Sequence, residues 1–245
     1  MDIYNFQFIS DKKQKEECYD FVRKNHYTKS IGSGCKLCFG LYENENLIGV
    51  GLWRTPNGRL TYKLFEKLNV ENNKKILDLT RLCCIDETRK NTESFFLGKM
   101  IKYIKNNNKD IDFLITYADF NQGHSGIIYK ASNWINFGTG GDTRKVYNIL
   151  ENGKLELSSS RWMKDKKNIL TLKINKKFRF FYPLRIKRKK ILKIFNEELQ
   201  KYEVEHKKLQ EQYEKTNNFN LKETDEKYYC KNCKNIFNKI CNCNE

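Results

Sequence analysis

Nine cysteines, three histidines and a few charged side chains set inside apolar runs are the residues of this 245-residue chain that could do chemistry. Four cysteines crowd the C-terminal end. Cys230 and Cys233 form a Cys-x-x-Cys pair, and Cys241 and Cys243 follow a short polar spacer containing Ile236 and Phe237. Four thiolates in so short a segment suit a closed tetrahedral zinc site, which would supply the folding energy that the tail cannot draw from a core of its own. The pair Cys35/Cys38 reads differently, because Cys38 lies within an apolar run; with Cys18, Cys83 and Cys84 it is read as structural. Arg81 stands inside Leu77-Asp-Leu-Thr-Arg-Leu-Cys-Cys-Ile85. A guanidinium in mid-strand must face a cavity or be paired, and Asp119 is a candidate partner. Asp119 itself directly follows the apolar run Phe113–Ala118, and the carboxyl end of a central parallel strand is where open α/β sheets place their ligand crevices. His26-Tyr27 and His124 sit at loop junctions. Thr92 and Ser94 open a helix whose free N–H groups could cradle a phosphate.

These residues need elements to hold them. Tyr4–Ile9 reads as a strand, Gln14–Asn25 as a helix, and Leu37–Tyr42 with Leu47–Trp53 as a hairpin across Glu43–Asn46. Ile76–Ile85 reads as a strand, Thr92–Lys105 as a helix with Leu97, Ile101 and Ile104 on one face, and Phe113–Ala118 as a strand covered on both faces. A short helix over Ser125–Ser132 and strands at Ile135–Phe137 and Lys145–Leu150 complete an α/β domain, 1–184, with parallel pairing near its centre. Lys187–Lys215 reads as one long charged helix, so that 185–217 forms a basic element, 218–227 a linker and 228–245 the Cys-rich tail.

Composition narrows the class. An apolar fraction of 39% with 13% aromatic residues supports a packed core rather than a disordered chain. No apolar run approaches the ~20 residues of a membrane helix, and the N-terminus has no signal-like pattern, so the expected setting is cytoplasmic, with reduced thiols. The formal charge is +17, and between Arg161 and Lys193 fourteen Lys/Arg face the single acid Asp165. Such a segment is expected to hold phosphates without reading sequence. The chain has no Gly-x-Gly-x-x-Gly after a strand, no Walker-type loop, no His-Glu-x-x-His and no Pro-Pro-aromatic motif of amino-methylating DNA methyltransferases.

The blocks His26-Tyr27, Lys36–Tyr42, Leu47–Gly51, Leu79-Thr-Arg-Leu82 and Tyr117-Ala-Asp-Phe-Asn-Gln-Gly-His-Ser-Gly-Ile-Ile-Tyr-Lys-Ala-Ser-Asn-Trp134 occur in that order. Together they resemble the bacteriophage Mom proteins, a divergent branch of the GCN5-type acetyltransferase fold. The resemblance runs from about His26 to Leu184. It implies a mixed sheet flanked by helices, and carbamoylmethylation of the exocyclic amine of adenine in phage DNA, protecting that DNA from host restriction. It also implies functional positions at His26, Tyr27, Arg81, Ser94, Asp119 and Tyr129, with Arg89, Lys90, Asn91, Thr92 and Ser94 in the donor-binding turn. That turn lacks the glycines of ordinary acetyltransferases, which counts against coenzyme A as the acyl-type donor.

On this reading Asp119 takes the amine proton, Arg81 holds Asp119 or the donor, Tyr129 protonates the leaving group, and His26 and Tyr27 complete the pocket. His26 and Asp119 are alternatively an imidazole and an oxygen ligand for iron. The target base would be extruded from double-stranded DNA and stacked on Trp134 or Trp53. Arg161, Lys176, Lys177, Arg179, Arg185, Lys187, Arg188, Lys189 and Lys190 would contact phosphates. Two other readings compete: an acyltransferase acting on a small amine or protein, and a non-enzymatic zinc-containing DNA-binding protein.

Overall fold

The computed structural model describes residues 4–32, 34–56, 65–68, 70, 72–119, 122–140, 143–158, 168–174, 177–216, 228–229 and 236–237. Asp11 caps the first helix α1 (Lys12–Asn25), its carboxylate accepting from the Gln14 N–H at 2.9 Å. Strand β1 (Asn5–Ile9) pairs with β2 (Cys35–Glu43), which turns into β3 (Asn46–Arg54) through Asn44 and Glu45, both at positive φ. Two such residues in a two-residue link match the right-handed twist of a hairpin. Then follow β4 (Ile76–Cys84), α2 (Thr92–Asn107), β5 (Phe113–Ala118), the short α3 (Ile127–Ala131) and β6 (Ile135–Thr139). Strands β7 (Thr143–Ile149), β8 (Leu155–Ser158) and β9 (Ile169–Ile174) form a separate three-stranded sheet, β8-β7-β9. The chain returns to the main sheet as β10 (Phe178–Pro183).

The main sheet has seven strands in the order β1-β2-β3-β4-β5-β10-β6, antiparallel throughout except for β4 and β5. That parallel pair follows from the crossover through α2, since parallel neighbours need a long connection. The strand β10 between β5 and β6 was not foreseen. Its sequence, Phe-Arg-Phe-Phe-Tyr-Pro, is more than half aromatic, as a strand packed on both faces requires, with Phe178, Phe180 and Phe181 all buried.

Helix α2 lays Phe96, Leu97, Met100, Ile101 and Ile104 on the sheet, the spacing of one helical face. Its Met100 passes over β3 so closely that a Cβ at Gly51 would lie 2.2 Å from the Met100 sulfur. The expected long helix divides. Helix α4 (Arg188–Ile194) ends at Phe195, which is buried, and α5 (Asn196–Thr216) follows directly. The break follows from packing, because Ile191, Phe195 and Leu199 join Phe113, Ile115, Phe137 and Phe181 in one apolar cluster. Helix α5 lies along β6, with His206 stacked flat on Phe178 at 3.9 Å and Glu203 paired to Lys130 of α3. It thereby covers an edge that would otherwise offer unpaired backbone groups. In the tail, β11 (Tyr228–Tyr229) pairs antiparallel with β12 (Ile236–Phe237); Cys230, Cys233, Cys241 and Cys243 lie outside the described residues. No helix among the described residues is long and apolar enough to cross a membrane.

Candidate active site

The parallel register of β4 and β5 runs from Ile76↔Phe113 to Leu79↔Thr116, and both strands continue beyond it. At this point β4 carries a bulge, because Leu52 and Trp53 of β3 face Arg81 and Leu79, leaving Thr80 as the extra residue. Bulges bend a strand and re-aim its side chains. The strands part around a crevice of about 420 Å³ whose walls include His26, Tyr27, Glu93, Asp119, His124 and Tyr129.

His26 is the residue at which α1 ends, its backbone N–H still bonded to the Val22 carbonyl. Its Nδ1 accepts the Thr28 N–H at 3.1 Å and lies 2.9 Å from the Thr28 hydroxyl. An N–H donor at Nδ1 requires a lone pair there, so the ring proton sits on Nε2. Burial, then the charges of Arg81, His124 and Lys177, push the ring's pKa down to about 3. His26 is therefore a neutral hydrogen-bond donor at physiological pH. Tyr27 stacks on His26, at 4.3 Å between ring centres, and its ring centre lies 5.5 Å from that of His124, the two planes tilted by 48°.

Asp119 directly follows β5 and is 4% exposed. Its carbonyl accepts the N–H groups of Gln122 and His124, which fixes the turn that brings His124 into the crevice. Its carboxylate pairs with Lys177 Nζ at 2.7 Å. The strand register dictates this pair: β10 meets β5 antiparallel with Phe178 opposite Ala118, so Lys177 arrives beside Asp119. Lys177, expected on phosphates, is thus held beside the crevice as an ion-pair partner of Asp119. Arg81 is turned by the bulge toward the loop after α1, where its Nε bonds the Ser30 carbonyl and Nη1 the Thr80 carbonyl. It braces the segment carrying His26 and Tyr27, between the crevice-lining Thr80 and Leu82.

Tyr129 lies on α3, 8% exposed, packed on Trp134 and Phe180. Burial, partly opposed by a hydrogen bond with Thr116, pushes its phenol up to about 12, so it stays protonated. Cys83 and Cys84 line the same wall, and burial pushes both thiols up to about 12, which agrees with their structural reading.

The donor turn is arranged differently from the expectation. Thr92 is buried and bonded to the Arg89 carbonyl and the Tyr4 hydroxyl, while Arg89, Lys90 and Asn91 are exposed. Asn91 and Ser94 line a second groove on the outer side of α2, and Glu93 between them lines the crevice. Glu93 carries no sequence signal of its own, standing between the hydroxyls Thr92 and Ser94. The helical rotation between successive residues is the signal that separates these faces.

Trp53 and Trp134 are buried, 6.5 Å apart, and neither can take a base; the aromatic rings lining the crevice include Tyr27 and His124, with His26, Tyr117 and Tyr129. Of the residues expected on phosphates, Arg161 and Lys176 lie outside the described residues. Arg179 is half-buried 6.0 Å from the Phe137 ring, Arg185 bonds the Lys105 and Asn108 carbonyls at the end of α2, and Arg188 bonds the Asn133 carbonyl. Lys187, Lys189 and Lys190 are exposed. An iron ion held by His26 and Asp119 does not fit this arrangement, since Nδ1 is engaged, Nε2 carries the proton and the ammonium of Lys177 stands where a cation would approach the carboxylate. Among the described residues no group of three His, Cys, Asp or Glu could hold a metal.

Fold and crevice together define an α/β protein whose reactive side chains converge where two parallel strands separate. The profile of the Mom protein family matches residues 7–203, and the chain belongs to that family. A curated relative, the methylcarbamoylase mom of Escherichia phage Mu, is 24% identical over 116 residues, 46% of either chain, so the match spans about half the length of that relative. Among solved structures, an N-acetyltransferase from Staphylococcus aureus Mu50 is similar over 74% of this chain and 97% of its own, with 15% identity and a TM-score of 0.41. A polyamine N-acetyltransferase from Drosophila melanogaster is similar over 74% and 99%, with 8% identity and a TM-score of 0.44.

Proposed function

We propose that this protein modifies DNA by transferring a carbamoylmethyl group to the exocyclic amine of adenine, protecting phage DNA from host restriction. Membership of the Mom protein family supports DNA modification as the class. The observation that carries the finer reading is the convergence of Asp119, Tyr129 and a Tyr27–His124 aromatic wall on one crevice. The adenine amine is a weak nucleophile because its lone pair is delocalised into the ring. Asp119, oriented by Lys177, accepts the amine proton as the new bond forms, and Tyr129 donates its proton to the departing group. The Nε2–H of His26 donates to charge developing on the transferred group. Tyr27 and His124 stack against a base extruded from the duplex, which places its amine within reach. Arg81 positions the loop that carries His26 and Tyr27. The donor bears the transferred group on a leaving group that departs as the N–C bond forms, as a small molecule or carrier-bound group, and the glycine-free turn Arg89–Ser94 counts against coenzyme A.

The tail is proposed to hold one zinc ion through Cys230, Cys233, Cys241 and Cys243. Ligand spacing supports this, as does the pairing of Tyr228–Tyr229 with Ile236–Phe237, which brackets the Cys-x-x-Cys pair within a short connection.

The test of the transfer reading is mass analysis of nucleosides from plasmid DNA of cells expressing the protein or its Asp119→Asn variant. Lys177 is about a third exposed and can turn to solvent, so the substitution costs about 1–2 kcal/mol and the variant stays folded.

A further inference from the structure

Two adjoining hollows share Lys105 and Tyr182 and form one groove along the outer flank of α2. The first, about 560 Å³, is lined by Asn91, Ser94, Phe95, Gly98 and Lys102, with Ala131 and Ser132 at the end of α3. The second, about 280 Å³, is formed by Asn133 and the corner between β10 and α4 that carries Arg185, Lys187 and Arg188. The charge is all at one end. Lys102, Lys105, Arg185, Lys187 and Arg188 gather around the foot of the groove, and no Asp or Glu lines either hollow. Among the described residues none of these five cations has a carboxylate partner.

Five like charges gathered without counter-charge repel one another and destabilise a fold, so an anion at their centre would be strongly favoured. Two of the five are pinned in advance. Arg185 is held by the Lys105 and Asn108 carbonyls and Arg188 by the Asn133 carbonyl, each through a single guanidinium nitrogen. Each guanidinium has five N–H groups, so donors remain for the oxygens of a phosphate. The other end is neutral. From Ser94 to Lys105 the groove follows α2 for roughly 16 Å, at ~1.5 Å per residue, past side chains that carry no charge until Lys102. That neutral end adjoins Glu93, whose side chain lines the crevice.

We infer that this groove binds a small phosphorylated ligand, its phosphates at the foot among Lys102, Lys105, Arg185, Lys187 and Arg188 and its neutral arm running along α2 toward the crevice. A duplex backbone would need cations spread along the whole track, whereas here they are confined to one end. The role of this ligand as the phosphate-bearing handle of the group donor rests on the transfer reading above; the binding site itself does not. The phosphate end of the groove lies away from the turn before α2, whose Asn91 and Ser94 line only its neutral end.

The test uses inorganic pyrophosphate as the probe, titrated calorimetrically into the full-length protein. Arg185 and Arg188 hold backbone carbonyls, so the informative variant replaces the lysines, Lys102→Gln, Lys105→Gln and Lys187→Gln, which have no described structural bond through their ammonium groups. Wild type binds pyrophosphate, the triple variant binds it at least about tenfold more weakly, and a Lys189→Gln, Lys190→Gln control is unchanged. Affinity of the triple variant for duplex DNA at fixed salt stays within about threefold of wild type. If the triple variant melts early, single Lys102→Gln and Lys187→Gln proteins carry the same comparison. Absence of pyrophosphate binding by wild type at millimolar concentration, or undiminished binding by the variants, overturns the site. A loss of duplex affinity as large as the loss of pyrophosphate affinity overturns the small-ligand assignment in favour of the DNA backbone. Because these readouts involve no adenine transfer, failure of the transfer reading would leave them intact.

Discussion

His26 shows how much a single side chain's surroundings decide. Its ring is buried among positive charges, with Nδ1 already accepting from Thr28, so it resists protonation down to a pKa of about 3, whereas an unfolded histidine titrates near 6.5. The folded state therefore binds fewer protons than the unfolded state between those values, and stability falls as pH drops from about 6.5 toward 3, by at most about 1.4 kcal/mol per pH unit for this group. His206, pushed down mainly by burial, adds to the same slope with the same sign. His26→Phe keeps a ring against Tyr27 and removes the titration, so its melting temperature should fall less steeply on acidification than that of wild type. Parallel slopes for the two proteins would mean that His26 is not held neutral. Asp119, His26 and Tyr27 stood out in the sequence because they lie at a strand end and a loop junction, whereas Tyr129 came only from the family resemblance. Lys177 was not legible as the partner of Asp119, since only the register of β10 against β5 brings them together. Glu93 was hidden between two hydroxyl residues.

At the scale of elements, the crevice depends on a few backbone features. Tyr129 is presented by a helix of only five residues whose start is set by Gly126 at φ +78°. A Cβ at this position would lie 2.4 Å from the Phe180 ring. Gly126→Ala is expected to cost about 1–3 kcal/mol, lowering the melting temperature by roughly 3–10 °C, and to reduce modification by displacing Tyr129. A variant with wild-type melting would show that α3 tolerates the strain. The pattern of apolar runs located β1 to β6 and α1 to α3 to within a few residues, because alternation and helical spacing are local signals. The Thr80 bulge and the break at Phe195 are not local, being set by pairing and by the apolar cluster under α4. The tail is an element of a different kind. One zinc per chain is expected by native mass spectrometry, lost when Cys230 and Cys233 become Ser, while the melting of the main domain is unchanged; freshly prepared protein without metal would contradict the zinc proposal.

The whole molecule carries +17 charges, and the structure sorts them. Some basic side chains brace the fold, as Arg185 and Arg188 do through backbone carbonyls, and Lys177 serves the crevice. Others, such as Lys187, Lys189 and Lys190, remain exposed near the β10–α4 corner. The fourteen-to-one imbalance between Arg161 and Lys193 raises the expectation of a polyanionic partner but does not separate structural from free cations, since that division depends on carbonyls contributed by α2 and the α3–β6 turn. The central claim is that this molecule brings an acid, a base and an aromatic wall to the amine of adenine. Its most direct measurement is mass analysis of nucleosides from DNA of cells expressing wild type, Asp119→Asn or Tyr129→Phe. The account predicts an adenine nucleoside carrying a carbamoylmethyl group with wild type, none with Asp119→Asn and a reduction of about 10²-fold or more with Tyr129→Phe, each variant remaining folded. Wild-type expression that leaves adenine unmodified, or a folded Asp119→Asn protein that modifies it fully, would contradict the account.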